Sequence, residues 1–243
     1  MNDGLVNEKR IIKSYNNKKF SQLNDFQKEV IKTIFSNIKD EDMIFSNICN
    51  RYSKPDIYFE VNNIRKYISI KSGRSDSMHF ESIKSFVLFL RGLGVSNRTQ
   101  KIILLFHYGD SSLDGTGTIR LCFEEIMKKY SNYIQEANEE INKIYIVKKS
   151  LDRFVFMGIE SKTCFVDYIY YGNEKYGILC SKEKMVDFVL KKKYGHLKTL
   201  HIGPMTIQPF LRDVKRVSKN VYKRNMVQVK WHYLLTDMQK INK

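Results

Sequence analysis

The segment 54–73 constrains the fold more than any other part of the chain, because it predicts a β-hairpin with a defined register. Alternating apolar and polar residues indicate two short strands, and Asn62-Asn63 lies between them. Asparagine tolerates positive φ, so this pair suits a two-residue hairpin turn. Counting outward from the turn places Val61 opposite Ile64. A slip of one residue would move every side chain to the other face of the sheet.

Three polar side chains are predicted to share one face of this hairpin near its open end. The same register places Asp56 opposite Ser69, and directly opposed residues project to the same side of a sheet. Alternation along the second strand puts Lys71 on that face as well, and Ile68 and Ile70 on the other. An acid and a lysine one strand step apart can hold a metal ion and a water beside a phosphodiester bond.

This motif resembles that of the PD-(D/E)xK nuclease superfamily, which includes most type II restriction endonucleases. Pro55-Asp56 matches the PD, and Ser69-Ile70-Lys71 lies where (D/E)xK belongs. Ser69 departs from the pattern, since the superfamily usually has an acid there. Some restriction enzymes of the superfamily carry Ser at this position and supply the carboxylate from the following helix. The resemblance implies an α/β fold with a restriction-endonuclease-like core, a mixed central sheet flanked by helices, and here a C-terminal β-rich elaboration.

The resemblance also implies a role for each residue of the motif. Asp56 is expected to anchor Mg²⁺, for which Mn²⁺ would substitute, and the carbonyl of Ile70 to be a further ligand. Lys71 is expected to orient the attacking water and to stabilise the developing charge. Ser69 could hydrogen-bond a metal-bound water but cannot replace the charge of a carboxylate.

The second carboxylate is predicted from the helices on either side of the hairpin. A helix is predicted over roughly Met78–Gly92, and its first acid, Glu81, is the candidate ligand, with His79 as a candidate base or phosphate contact. The helix dipole alone favours an acid in a first turn, so a structural role for Glu81 stays open. A preceding helix, capped by Asn24, carries Glu29 as a further candidate. Glu29 lies nearly opposite the apolar stripe of that helix, which favours a solvated charge.

The composition favours a polyanionic partner. Lys and Arg number 42 and Asp and Glu 26 among the 243 residues, a formal net charge of +16. Such an excess favours nucleic acid through counterion release. The charge is spread along the chain instead of along one amphipathic helix, which disfavours a membrane surface. The four cysteines are isolated, there is no basic-then-apolar leader, and the longest apolar runs are too short for a bilayer, so we expect a soluble cytoplasmic protein.

The predicted secondary structure changes near residue 150, after which short β-like runs appear. Residues 1–150 are predicted to form the nuclease core, with a buried strand over Lys101–Tyr108 and a charged helix over Phe123–Ile144. Residues 151–243 are predicted to form a β-rich DNA-recognition part packed on that core. Its β-like runs are Phe154–Gly158, Cys164–Tyr171, Tyr176–Cys180, His201–Gln208 and Met226–Leu235, with a helix at Lys182–Lys193.

The densest basic run also lies in this second part. Arg and Gln can form bidentate contacts with guanine and adenine, and Lys mostly holds phosphate. A merely solvated surface is the alternative interpretation. The candidate DNA contacts are Arg74, Gln208, Arg212, Lys215, Arg216, Lys219, Lys223, Arg224, Gln228 and Lys230.

The leading hypothesis is a Mg²⁺-dependent type II restriction endonuclease that cuts double-stranded DNA at a specific sequence. A homodimer would match palindromic sites, and a companion methyltransferase would act on the same site. A structure-selective or repair nuclease of the resolvase kind is the second hypothesis. The third is a non-catalytic nucleic-acid-binding protein on a degenerate nuclease fold, favoured by the missing acid at Ser69.

Overall fold

The computed structural model describes residues 3–50, 53–73, 76–117, 120–159, 164–194, 198–210 and 221–243. The chain divides into two compact units, and both are discontinuous in sequence. The first unit comprises 1–75, 152–188 and 234–243, and the second 76–151 and 189–233. The division into parts 1–150 and 151–243 stays a prediction.

The strands are β1 (Lys18–Lys19), β2 (Met43–Ile48), β3 (Ile57–Val61), β4 (Ile64–Lys71), β5 (Ser77–Ser82), β6 (Tyr168–Gly172), β7 (Gly177–Ser181), β8 (His201–Ile202), β9 (Met205–Pro209) and β10 (Met226–Lys230). The helices are α1 (Asp3–Tyr15), α2 (Asp25–Ile34), α3 (Ile83–Gly92), α4 (Asn97–Tyr108), α5 (Phe123–Ile141), α6 (Ile144–Leu151), α7 (Lys182–Leu190) and α8 (Leu234–Ile241). A π-helical segment spans Asp152–Met157, and 3₁₀ turns span Phe20–Gln22 and Val221–Asn225.

The first unit contains a mixed sheet in the order β1-β2-β3-β4-β6-β7, in which β4 and β6 are parallel and the other pairs antiparallel. The β3–β4 hairpin has the predicted register, with Ile57 opposite Ile68 and Val61 opposite Ile64. Asn62 has φ 51° and its neighbour Asn63 has φ 64°, as a two-residue turn of this kind requires. The predicted hairpin is therefore confirmed.

Helix α1 packs against β2 and β4 of this sheet and contributes to the unit's core. Its Ile11 and Tyr15 are buried one turn apart, and the Tyr15 ring meets the Phe59 ring edge-on with centroids 4.8 Å apart. Helix α2 begins after Asn24, as predicted, because the Asn24 side chain accepts a hydrogen bond from the Gln27 backbone N–H at 2.9 Å. The outcome is a mixed sheet flanked by helices.

The second unit contains an antiparallel sheet in the order β5-β10-β9-β8. Val227, Val229 and Ile207 are buried on one face of it, and α3 and α4 contact β10 and β9. The predicted C-terminal β-rich elaboration thus includes β8, β9 and β10. Its edge strand β5 comes from the part of the chain that follows the hairpin.

The prediction of a strand at Lys101–Tyr108 is wrong, since these residues form the end of α4. Ser96 caps the helix by accepting a hydrogen bond from the Thr99 N–H at 3.2 Å, and Gly109 ends it with φ 62°. The apolar run fits a strand buried on both faces, but its buried members recur at helical spacing. The strand that lies parallel to β4 is β6.

The predicted helix at Met78–Gly92 begins five residues later than expected, at Ile83. Ser82 is its N-cap, and the preceding residues form β5, paired with β10. Glu81 therefore lies on a strand and not in a first helical turn, which is a correction to its predicted setting.

Three of the predictions for the second part also need correction. Phe154–Gly158 lies largely in the π-helical segment instead of a strand, and β6 begins only at Tyr168. The Met226–Leu235 run is a strand only to Lys230, after which α8 follows. The predicted helices at Lys182–Lys193 and Phe123–Ile144 are confirmed as α7 and α5 with shorter ends. No helix in the described ranges has the length and apolarity needed to cross a bilayer.

Candidate active site

Asp56 is held at the open end of the hairpin by backbone hydrogen bonds to the segments on both sides of it. Its N–H donates to the Ile68 carbonyl at 2.9 Å, and its carbonyl accepts from the Cys49 N–H at 2.9 Å. Its carboxylate atom Oδ2 accepts from the Ser69 hydroxyl at 3.0 Å and from the Ile70 N–H at 2.6 Å. The orientation of the carboxylate is therefore fixed by β4.

Ser69 positions Asp56, which the sequence prediction did not foresee. The hydroxyl is buried, with 2 % of the residue exposed, and it donates to the acid across the hairpin. A carboxylate in place of this hydroxyl would lie at hydrogen-bond distance from Asp56 and would repel it. Serine at this place thus keeps Asp56 oriented without adding a second negative charge.

Replacing Ser69 by Ala is expected to weaken divalent-cation binding and DNA cleavage about 10- to 100-fold, because Asp56 loses one of its two orienting donors. The apparent Mg²⁺ constant for cleavage measures this. Ser46→Ala is the matched control, since Ser46 is also a buried strand serine of this sheet but its hydroxyl has no hydrogen-bond partner among the described residues. Equal behaviour of the two variants would contradict the positioning role.

Glu8 of α1 is a carboxylate that interacts electrostatically with Asp56 and Lys71. Burial, reinforced by the negative charge of Asp56, raises the Glu8 pKa from 4.5 to about 7, and the positive charge of Lys71 partly opposes this shift. The adjacent Asn7 anchors this part of α1, since its side-chain amide donates to the Gly172 carbonyl at the end of β6 at 2.8 Å. Two carboxylates and one ammonium group are therefore electrostatically coupled at one place.

A second lysine, Lys54, belongs to the same cluster. Burial, and then repulsion by Lys71, lowers its pKa from 10.5 to about 7, while attraction to Asp56 works in the other direction. A Cβ built on Gly158 would lie 3.5 Å from the Lys54 Cβ, so the lysine stem runs beside this glycine. At neutral pH an amine with this pKa is present in both its protonated and its neutral form.

The donor set fits a hard divalent cation. Mg²⁺ is usually bound in proteins by one or two carboxylates and keeps several waters. Asp56 and Glu8 supply two such groups, and the raised pKa of Glu8 reflects first its burial and then repulsion by Asp56, both of which disfavour a charged carboxylate that a bound cation would stabilise. Within the described ranges no group of three or more His, Cys, Asp or Glu side chains is suited to a metal, so a soft-ligand site of the zinc kind is not supported there.

Glu81 and His79, the other predicted members, belong to the second unit. Glu81 is buried on β5, where its Oε2 accepts from the Ser85 hydroxyl at 2.6 Å and its Oε1 lies 3.7 Å from His79 Nε2. Glu29 is exposed on α2, with 72 % of its side chain accessible, and pairs with Lys32 at 3.3 Å. The roles predicted for Glu81, His79 and Glu29 at the metal site stay predictions.

Five of the predicted DNA contacts lie outside the described residues: Arg74, Arg212, Lys215, Arg216 and Lys219. The others lie on or next to the second sheet. Gln208 and Gln228 are opposite each other on β9 and β10, and Lys230 pairs with Asp76 at 3.3 Å. The Lys223 ammonium lies over the Tyr222 ring, 5.6 Å from its centroid.

Arg224 has a structural partner. Its guanidinium lies 2.5 Å from Oδ2 of Asp110, whose side chain is fully buried, and the Arg224 carbonyl lies 2.9 Å from Nε2 of the buried His107. Asn225 accepts from the Tyr108 hydroxyl at 3.1 Å. The turn that leads into β10 is thus fixed to α4 by an ion pair of Arg224, and the predicted DNA contact of this residue stays a prediction.

Replacing Arg224 by Met is expected to lower the free energy of unfolding by about 3 kcal/mol, because the buried charge of Asp110 loses its partner. Urea unfolding measures this. Arg98→Met is the control, since Arg98 pairs with Glu136 on the surface and such pairs contribute at most about 1 kcal/mol. A loss no larger than that of Arg98→Met would contradict the role assigned to the pair.

The residues that the sequence reasoning missed are Glu8, Asn7 and Lys54. One signal for Glu8 was present: Ile11 and Tyr15 recur at helical spacing after it, so Glu8 lies on the apolar side of a short amphipathic helix. An acid in that position is only half-exposed. No sequence pattern pointed to Lys54, because its low pKa arises from burial in the folded protein and from the charge of Lys71.

Comparison with solved structures gives a match over nearly the whole chain. The crystal structure of the restriction endonuclease MspI in complex with its cognate DNA has a TM-score of 0.52 to this chain, at 13% identity, and the match covers 93% of this chain and 88% of that one. The chain has a restriction-endonuclease-like fold. At this identity the likeness shows the fold alone. No protein-family model matches the chain, and no curated protein sequence matches it.

Proposed function

We propose that the protein is a Mg²⁺-dependent endonuclease of the type II restriction kind, which cuts double-stranded DNA at a specific sequence. The observation that carries this proposal is the cluster in which Asp56, oriented by Ser69, is coupled to Glu8 and Lys71. The fold supports it, since the matched MspI structure is a restriction endonuclease with its cognate DNA. The net charge of +16 favours the same polyanion.

The chemistry of the site follows from the charges of its side chains. A bound Mg²⁺ supplies Lewis acidity and lowers the pKa of a coordinated water. Asp56 and Glu8 would hold the ion, with the Ile70 carbonyl as a further oxygen donor. The Lys71 ammonium would orient the attacking water and stabilise charge that develops on the phosphate. The hydrogen bonds from Ser69 and Ile70 keep the anchoring carboxylate in place through the reaction.

The proposal extends to the assembly. A dimer with two-fold symmetry matches a palindromic DNA site, so we propose that the protein acts as a homodimer. A methyltransferase that modifies the same site would protect the host DNA without binding this chain. Sedimentation in the presence and absence of cognate duplex distinguishes a constitutive dimer from one that forms on DNA.

The deciding experiment is incubation of the purified protein with mixed phage and plasmid DNA, with Mg²⁺ and with EDTA. Discrete fragments that appear only with the metal support the proposal. A smear or cleavage restricted to branched substrates favours a repair or junction nuclease. Retarded mobility without cleavage, under either condition, identifies a binding protein and overturns the catalytic proposal.

A further inference from the structure

The second sheet has one buried face and one partly exposed face, so that buried and partly exposed residues alternate along its strands. On β10, Val227 and Val229 are buried, while Met226, Gln228 and Lys230 between and beside them are partly accessible. The register places residues of β9 and β5 on the same side. We call this side the amide face, and its members are Ser77, Phe80, Ser82, Thr206, Gln208, Phe210, Met226, Gln228 and Lys230.

A row of hydrogen bonds crosses three strands on the amide face. Gln208 Nε2 donates to Gln228 Oε1 at 3.3 Å, and Gln228 Nε2 donates to the Ser77 hydroxyl at 3.1 Å. The two glutamines are directly opposed in the ladder between β9 and β10. Each amide is thereby held in one orientation, so little side-chain entropy is lost when it binds a further group.

The orientation of this row determines what Gln208 can recognise. A glutamine amide has one oxygen with two lone pairs and two N–H groups, and the bond to Gln228 involves one N–H. The oxygen and the second N–H form the acceptor-and-donor pair that matches the N6 amino group and N7 of adenine in the major groove. Gln228, whose oxygen and one N–H both take part in the row, serves to support Gln208.

The apolar neighbours fit the other base of the same pair. Phe80 lies opposite Gln228 in the ladder with β5 and is 45 % exposed, and its ring meets that of Phe210 edge-on at 4.8 Å. Phenylalanine and the methyl group of threonine are the side chains that contact the thymine methyl. Thr206 lies on the amide face as well, one alternation from Gln208 on β9.

We propose that the amide face enters the major groove and that Gln208, supported by Gln228 and Ser77, reads the adenine of an A·T base pair. β9 and β10 are the adjacent central strands of the second sheet, so the amide face presents Gln208 and Gln228 side by side to a base pair. This inference rests on the proposed function, in that it takes duplex DNA as the substrate. Beyond that function, it specifies which face of the sheet contacts the bases and one base pair of the recognition sequence.

The test is selection of bound duplexes from a randomised library, which does not depend on cleavage. Wild-type protein is expected to enrich a site with an A·T pair at a fixed position. Gln208→Met should lose the preference for that pair by about 10- to 100-fold. Gln208→Glu should shift the preference at that position to C·G, because a carboxylate accepts from the cytosine N4 amino group. Gln135→Glu on α5 makes the same change at an exposed position of the same unit and should leave the site unchanged.

The possible results test the reading role of Gln208 and the nuclease proposal separately. Retained A·T preference in both Gln208 variants, with unchanged melting temperatures, overturns the reading role while the nuclease proposal stands. An enriched site without any A·T pair also overturns it. Cleavage without Mg²⁺ dependence contradicts the proposed function but leaves the enrichment result valid. If wild-type protein enriches no duplex, duplex recognition by the amide face is excluded.

Discussion

Replacing Lys71 by Met, or Asp56 by Asn, is expected to lower the rate of DNA cleavage by at least about 10³-fold. Lys71 stabilises the hydroxide and the charge on the phosphate, and Asp56 is the acid whose Oδ2 is fixed by two donors from β4. Both changes keep the size of the side chain nearly constant. The affinity for a cognate duplex should change less than about tenfold, because few phosphate contacts are lost.

Single-turnover cleavage and gel-shift titration measure the two effects separately. Lys66→Met is the control for Lys71, since Lys66 lies on the same strand nearer the turn and faces Asp167 at 3.7 Å. Asp40→Asn controls for the loss of one negative charge at an exposed position. Cleavage by Lys71→Met at more than a tenth of the wild-type rate would remove this lysine from the chemistry.

The hairpin could be predicted from the sequence because everything that determines it is local. The Asn62-Asn63 turn fixes the register, and the register alone places Asp56 opposite Ser69. The hydrogen bond between these two residues follows from that pairing. The same holds for the start of α2, where Asn24 and Gln27 form a cap within four residues.

The coupling of Glu8 to Asp56 could not be predicted in the same way, because it depends on packing between distant segments. Helix α1 packs on β2 and β4 and is anchored to β6 through Asn7, and this packing brings the charge of Asp56 to bear on Glu8. Glu81 had the better sequence position, shortly after the hairpin. Its segment instead pairs with β10, about 150 residues later, as the edge strand of the other sheet.

The misassigned strand at 101–108 has a related cause. Five consecutive apolar residues fit a buried strand and a buried helix equally well, so periodicity alone does not separate the two. Ser96 and Gly109, which cap and end α4, are the local signals that favour the helix. These two caps bound the apolar run and decide for the helix.

Replacing Glu8 by Gln is expected to reduce Mg²⁺-dependent cleavage by about 10²- to 10³-fold, whereas Glu29→Gln should leave it unchanged. The amide keeps the shape of the side chain but removes the charge that would hold the ion with Asp56. Glu29 is the matched control, an exposed glutamate on the other helix that packs with this sheet. Glu81→Gln distinguishes the two candidate acids, since its effect should appear in protein stability through the Ser85 contact instead of in the Mg²⁺ dependence.

The pH dependence of the metal-free protein gives a second readout for Glu8. Because the folded state raises the Glu8 pKa from 4.5 to about 7, it binds the proton more tightly than the unfolded chain does. The free energy of unfolding should therefore fall as pH rises from about 4.5 to 7 and level off above that. Glu8→Gln removes this dependence and should be the more stable protein at pH 8 in EDTA, by on the order of 1 kcal/mol for a half-exposed group.

Added Mg²⁺ should reverse the order by stabilising wild-type protein alone, since a ligand that binds only the folded state adds its binding free energy to stability. A variant that is equally stabilised by Mg²⁺ would show that the ion is held without Glu8.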